Sequence, residues 1–480
     1  MEWSHYSYAL FDAFQQTNAN IVVQASPGAG KTTNIKHLWT LDNRATVYLV
    51  FNKHNQLEAE TKMPAKAGSA IKTLNGLGSS ILYNTVGRST LDKSKVNNIV
   101  RDMLREPHSR RYQSKADQER EFALIQAVNK AKMLALSNIF EFADYKAMVS
   151  LYDMNEYPGM YDHVCQALLA SDNNVDVIDF NDQIRFPAIF DLHMPQFHNV
   201  LVDEAQDLSP VQALMVSKLQ ADRYVFVGDK RQSIYAFRGA MSDSMDYLKA
   251  EFNAVELPLS ITYRCAKAIV NEAAKIWPGD IEAWEESCDG SVTFHNSDSG
   301  PVKYTGDVII LCRTNAPLIK LAYELLRNGT PCHVRGRDIG EGLVRLVNQQ
   351  DAPNIRTLID CLSQWREIEI AKAVKREDDD KVQSIEDKYE SVMLFCSKCK
   401  LNGDPQIVID SINDLFEQGR GVCLSTVHKA KGLEAESVYL LEAELFDLFK
   451  SKARQMYQTV QEKNIKYVAV TRAKSQLIYM

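Results

Sequence analysis

No stretch of this chain approaches about 18 consecutive apolar residues, so no membrane-spanning helix is expected. The N-terminus, MEWSHYSYALFDAF, is acidic and aromatic, without a basic segment leading into an apolar one, so no signal peptide is expected. An excess of positive charge is also missing. Lys and Arg number 55 against 62 Asp and Glu, for a formal net charge of −7. A protein-wide basic footprint for nucleic acid is thereby excluded, and any such binding must use a local cleft. The nine cysteines form no disulfide framework, which suits a reducing compartment. Cys396-Ser-Lys-Cys399 is the only CxxC, and no further ligand pair accompanies it, so it reads as two ordinary cysteines on a helix. Repeats of fixed period and low-complexity tracts are absent.

What is present is the composition of a globular protein, 45% hydrophobic and 24% charged, and 480 residues, too many for a single core. The chain is organised around Asn20 to Thr33, NIVVQASPGAGKTT. Ile21 to Gln24 read as a short buried strand. The chain then turns through Ala25, Ser26, Pro27, Gly28, Ala29 and Gly30 into a helix that begins near Lys31. Glycines let consecutive backbone N–H groups converge on one anion, and the helix N-terminus adds partial positive charge. Lys31 would reach the outer phosphates of a nucleotide, and the Thr32 hydroxyl, followed by Thr33, would hold Mg²⁺.

Strand and helix patterns alternate on either side of this loop. TVYLVF (Thr46 to Phe51), VLV (Val200 to Val202) and YVFV (Tyr224 to Val227) are buried-strand runs, which points to a parallel sheet covered on both faces. A second unit of the same texture begins near Leu257, with strands at Val308–Leu311, Val422–Leu424, Val438–Leu441 and Leu477–Tyr479. Between these runs lie two charged, helical stretches, residues 91–182 and 340–419. The first unit is therefore expected over 1–90 and 183–256, and the second over 257–339 and 420–480.

LVDEAQD (Leu201 to Asp207) ends a strand in two carboxylates at the edge where ligands bind in such sheets. Asp203 is placed for Mg²⁺ and Glu204 for orienting or deprotonating an attacking water. The next strand ends in GDKRQSIYAFRGA, where Gln232 suits a γ-phosphate sensor. Tyr235, Phe237 and Arg238 have the composition of a stacking platform for unpaired bases, with core packing the competing reading for the aromatics. In the second unit Tyr263-Arg264 and Thr471-Arg472 offer arginines for phosphoryl charge. STVHKAKGLE puts His428 in a turn and Glu434 where it could bond a ribose hydroxyl.

In order, ASPGAGKTT, VFNKHN, KTLNGLG, LVDEAQD, VGDKRQSIYAFRGA, TYRC, STVHKAKGLE and YVAVTRAK span residues 25 to 474. This series resembles the UvrD/Rep-type superfamily 1 DNA helicases, and particularly the compact phage and F-box DNA helicase branch. The resemblance implies an α/β fold of two RecA-like P-loop NTPase domains, each with a mostly helical insertion. It implies ATP and Mg²⁺ held by Lys31, Thr32, Asp203, Glu204 and Gln232, with Arg264 and Arg472 as arginine fingers. Tyr263 would stack on adenine and Glu434 would hold the ribose. Phe51, Asn75, Phe237, Arg238 and His428 fall where the family contacts single-stranded DNA or couples it to ATP. Its adenine-contacting Gln would lie ahead of the loop, where this chain has YSYALFDAF with Ser7 or Tyr8. A cleft that closes on ATP and reopens after hydrolysis would produce stepping, 3′→5′ by resemblance.

The expected protein is a cytoplasmic monomer of a bacterium or phage-infected cell. It would act on single strands and single-strand/duplex junctions, with replication or recombination proteins as candidate partners. Two other readings share these motifs: a translocase that strips proteins from DNA without productive unwinding, and an RNA helicase of the same superfamily.

Overall fold

The computed structural model describes residues 3–104, 115–136, 140–152, 154, 156–234, 244–295, 302–375, 379–416, 421–452 and 456–480. The chain divides into two compact units, Met1–Ser260 and Ile261–Met480.

The first unit is built on β1 (Ile21–Ala25), β2 (Thr46–Val50), β3 (Ala70–Thr73), β6 (Gln196–Val202), β7 (Gln220–Gly228) and β8 (Val255–Leu259), after the two-residue strands β4 (Thr90–Leu91) and β5 (Val177–Ile178) are set aside as a separate pair. Sheet order is β3-β2-β6-β7-β1-β8, and every pairing is parallel. The β-branched runs alternate between two buried faces, as the two-residue strand period requires. Val22, Val47, Leu49, Val200, Val202 and Phe226 pack on helices Leu74–Val86, Asp182–Ile189, Pro210–Ser217 and Ser244–Glu251. Ile21, Val23, Tyr48, Val50, Leu201, Val225 and Val227 pack on helices His5–Gln16, Lys31–Leu41 and Lys53–Lys62.

β8 corrects the boundary read near Leu257. Val255–Leu259 pairs along β1 in the first sheet, so the second unit begins at Ile261. Helices Lys95–Leu104, Lys115–Met133, Phe142–Tyr152 and Met160–Asp172 share a core of their own, around Val100, Leu124, Val128, Met148, Val164 and Leu168.

The second unit has a small pair, β9 (Ile261–Thr262) and β10 (Glu282–Ala283), followed by β11 (Ser291–Phe294), β12 (Val308–Cys312), β13 (Cys332–Arg335), β14 (Val422–Thr426), β15 (Ala435–Leu440) and β16 (Ala473–Tyr479). The last six form a second parallel sheet in the order β11-β16-β15-β12-β14-β13. Among the described residues, its helices Arg337–Gln349, Ile355–Lys375, Asp379–Cys396 and Gln406–Phe416 share their core with the sheet. Leu343, Leu358, Val392, Phe395 and Ile412 join Ile310, Leu424 and Val334 of the sheet in one cluster. Among the described residues no helix is long and apolar enough to cross a membrane.

Candidate functional site

The carboxyl edge of the first sheet gathers three of the sequence segments. Register pairs Gln24 with Gly228 and Val202 with Phe226. The turns that follow β1, β6 and β7 are therefore neighbours, where parallel sheets place their ligands.

After β1 the chain runs from Ala25 through the buried Ser26, and the Ala29 N–H closes a turn on the Ser26 carbonyl at 3.2 Å. Gly28 (φ 73°) and Gly30 (φ 75°) hold the left-handed backbone that lets successive N–H groups face one point. Lys31 is the first residue of the helix, Thr32 is exposed and Thr33 half-buried. The turn is a glycine-cornered cradle opening on a helix N-terminus, the geometry that takes a phosphate.

After β6, Asp203 is buried. Its Oδ2 accepts the Tyr48 hydroxyl at 2.8 Å and its Oδ1 accepts the Glu204 N–H at 2.9 Å. Burial, and then the Glu204 charge, push the Asp203 carboxyl upward; Tyr48 and the Lys31 ammonium pull it back. Glu204 itself stands at φ 51°. The Gln206 amide donates to Glu204 Oε2 and accepts the Asp229 N–H at 3.0 Å. Asp229 in turn accepts from Gln232 Nε2 at 2.7 Å. Burial raises the Asp229 carboxyl, and Lys31 is the largest influence lowering it. Two buried carboxylates, each raised by burial and by Glu204 and each drawn back by Lys31, are oxygen donors of the kind that fits Mg²⁺ and a polyphosphate. Among the described residues no cluster of three or more His, Cys, Asp or Glu could hold a metal by itself.

A cavity of about 270 Å³ lies in the same unit, lined in part by Phe51, Asn75, Phe180, Asn181, Asp207 and Ser209. Phe51 and Phe180 are each about half exposed, at 50% and 47%. Asn75 gives its amide N–H groups to the Phe180 carbonyl and to Gln183 Oε1, so it bonds the rim as well as lining it. Tyr235, Phe237 and Arg238 lie outside the described residues.

In the second unit the structure brings three predicted residues to the amino end of β15 and β16. Glu434 Oε2 pairs with Arg264 Nε at 2.6 Å and Glu434 Oε1 with Lys474 Nζ at 3.2 Å. Burial works to raise the Glu434 carboxyl, but Arg264 and Lys474 outweigh it and hold it low. Arg472 is buried and donates to the carbonyls of Val468 and Leu433. Tyr263 stays exposed, against Trp284 at 5.1 Å between ring centres. His428 follows the carboxyl end of β14, at the opposite edge from Glu434. Ser7 is buried against the Ser4 cap, Oγ to Oγ 3.2 Å, whereas Tyr8 is exposed.

Sequence reasoning missed Tyr48, Gln206, Asp229, Phe180, Trp284 and Lys474. A signal existed for Tyr48, a polar tip inside an otherwise apolar strand, which needs a buried partner. For Phe180 and Trp284 there was none, because their partners lie far along the chain.

Residues 6–253 match the UvrD/REP helicase N-terminal domain and residues 349–480 the UvrD-like helicase C-terminal domain. The chain is 25% identical to F-box DNA helicase protein 1 of Schizosaccharomyces pombe over 61% of its length and 34% of the relative's. It is 23% identical to ATP-dependent DNA helicase PcrA of Bacillus subtilis, over 68% of this chain and 49% of that protein. It is 20% identical to PcrA of Staphylococcus aureus, over 99% and 83% respectively. The chain thus spans no more than about half the length of the first two.

Proposed function

The chain belongs to the UvrD/REP helicase family, and from that premise we propose that it is a DNA-dependent ATPase that moves on single-stranded DNA and separates duplex strands. The observation that carries this reading is one sheet edge. Its glycine-cornered loop, its Asp203–Glu204 pair and Gln232 stand on adjacent turns, with an aromatic-walled cavity in the same unit.

In this reading Lys31 and the loop N–H groups bind the phosphates of ATP. Thr32 and Asp203 are the ligands for Mg²⁺, which when bound supplies charge stabilisation to the departing phosphates. Glu204, aimed by Gln206, takes the proton of the attacking water. Gln232 senses the γ-phosphate through its bond to Asp229. Arg264 and Arg472 stabilise charge on the transferring group, while Tyr263 and Glu434 hold base and ribose. The DNA strand runs over Phe51, Asn75 and His428, with Tyr235, Phe237 and Arg238 as further contacts, and moves 3′→5′. The family's helical insertions are assigned to 91–182 and 340–419.

The test is steady-state ATP hydrolysis with and without single-stranded DNA, for the wild type and Lys31→Ala, beside strand separation on substrates with a 3′ or a 5′ tail. DNA-stimulated hydrolysis that Lys31→Ala abolishes, together with opening of the 3′-tailed substrate alone, is expected. Hydrolysis that ignores DNA but rises with RNA would overturn the substrate, and opening of the 5′-tailed substrate alone would overturn the direction.

A further inference from the structure

Four charged side chains are sealed beneath the rim of the cavity. Lys132, at the end of helix Lys115–Met133, is wholly buried and bonds Asp179 Oδ2 and Asp182 Oδ1, each at 2.7 Å. Lys95, also buried, bonds Asp182 Oδ2 at 2.7 Å and the carbonyls of Ser171 and Asn174 at 2.8 Å. The two aspartates also cap each other's backbone, Asp182 N–H to Asp179 Oδ1 at 2.8 Å and Asp179 N–H to Asp182 Oδ2 at 3.1 Å.

Between the two anchored acids stand Phe180 and Asn181, which both line the cavity. The Phe180 carbonyl is held by Asn75 and the Asn181 amide by Asn129 at 3.0 Å, while the Phe180 ring stays half exposed with the Lys93 ammonium 5.7 Å from its centre. Replacing such buried ion sets with apolar side chains is often neutral for stability, so stability alone does not account for two desolvated lysines here. What the set does fix is the position of a two-residue loop. Its fixed point lies in the helical segment, since Lys95, Asn129 and Lys132 come from two of the helices inserted between β4 and β5.

We propose that Lys132 and Lys95 are positioning residues for nucleic-acid binding: they lock the Asp179–Asp182 turn so that Phe180 is presented as a base-stacking surface at the cavity rim. This rests on the reading that the cavity takes single-stranded DNA. The helical segment then contributes to strand affinity without either lysine touching a phosphate.

The experiment is fluorescence anisotropy of a labelled oligothymidylate against the full chain over a range of salt concentrations. Phe180→Ala is expected to raise Kd by about tenfold, the scale of one lost stacking contact. Lys132→Met should raise Kd by a similar factor, but leave the slope of log Kd against log salt unchanged, because a buried ammonium releases no counterion. In the Phe180→Ala background the Lys132→Met change should add less than about twofold, since both act through one ring. Binding of a fluorescent ATP analogue reports that the fold persists. Should Lys132→Met fail that control, Asn129→Ala, which loosens the same turn from outside the ion set, is read by the same criteria.

Wild-type affinity in Lys132→Met, multiplicative losses in the double variant, or a slope reduced by about one would each overturn the positioning role. If the wild type itself ignores the oligonucleotide, or Phe180→Ala has no effect, the reading of the cavity falls and takes the inference with it. If Phe180→Ala weakens binding and Lys132→Met does not, only the positioning role falls.

Discussion

If Glu204 is the base of the proposed reaction, replacing Gln206 by Glu should separate the packing of its turn from the orientation of its carboxylate. Gln206 is wholly buried, and its amide holds two things at once: Glu204 through its N–H and the Asp229 backbone through its oxygen. There is no slack around it. A Cβ placed on Gly228 would lie 2.5 Å from Gln206 Oε1, so the strand end and the amide are in close contact. Gln206→Ala would remove a charge-assisted bond worth about 1.5–3 kcal/mol and strand the buried Asp229 N–H at a cost of about 1–3 kcal/mol. Its loss of activity would therefore be mixed with a loss of fold.

Gln206→Glu keeps the volume and keeps an oxygen for the Asp229 N–H. It exchanges the donor toward Glu204, which also reaches Asp207 Oδ2 at 3.4 Å, for a carboxylate, putting a third acid between two others. A general base turned away from its water costs on the order of 100-fold, and kcat should fall by about that factor while KM for ATP moves less than about threefold. The sign with pH is opposite to a simple loss of base. Two carboxylates in contact share a proton more readily as pH falls, and a protonated Glu at 206 can donate as the amide did. The ratio of variant to wild-type kcat should thus rise as pH is lowered from 8 toward about 6, within the range where a shared proton is retained. DNA-stimulated hydrolysis across that range, with thermal unfolding as the control, is the assay. A variant within twofold of wild type at pH 8, while Glu204→Gln is inactive, would refute orientation of the base by Gln206.

Two further outcomes are expected. Arg264→Ala should lower DNA-stimulated kcat by about a thousandfold with little change in ATP binding, and Arg264→Lys should not restore it, because a point charge cannot reproduce a guanidinium fork; single-turnover hydrolysis checks this, and rescue by Lys would sink it. Asp42→Asn should lower stability by about 2 kcal/mol at neutral pH, because the buried Arg223 loses its carboxylate partner. Burial works against ionisation of Asp42, but bonds from Arg44 and Asn199 hold its carboxyl well below the usual range. Its stabilisation is therefore present above about pH 4 and lost as pH falls through the lowered value, so urea midpoints of variant and wild type should converge in acid.

The strands were legible because a buried parallel strand is a short β-branched run, and Thr46–Val50 and Val308–Cys312 are such runs. Site turns were legible for a related reason: glycines and carboxylates that directly follow such runs have few structural uses. Where the first sheet ends was not. Val255–Leu259 carries Glu256 and Pro258 and is mostly exposed, which reads as a connection, yet an edge strand with one neighbour tolerates a missing N–H. The anchored acids were illegible as well. Asp179 and Asp182 sit 47 and 50 residues from Lys132, and only folding shows that all three leave solvent together. Of the two cysteines read as helical, Cys396 ends its helix, whereas Cys399 lies just beyond it with its thiol directed to the Phe395 carbonyl.

The segment from Asp203 to Gln212 joins the proposed nucleotide turn to the cavity. Asp203 and Glu204 stand in the turn after β6, whereas Asp207, Ser209 and Gln212 line the cavity. Gln206 sits between them, bonded on one side to Glu204 and, at a longer 3.4 Å, to Asp207. The segment is short and almost entirely buried, and its next helix starts in a capping box closed by Ser209 and Gln212 themselves. Close packing and these bonds tie the two ends of the segment together. On the proposed function, a rearrangement of Glu204 on nucleotide binding would reach Asp207 and Ser209 within a few residues, and strand binding at the cavity would change nucleotide affinity by the same factor. On that function, coupling between nucleotide and nucleic acid in this unit would require no long pathway, only that this one segment have two arrangements.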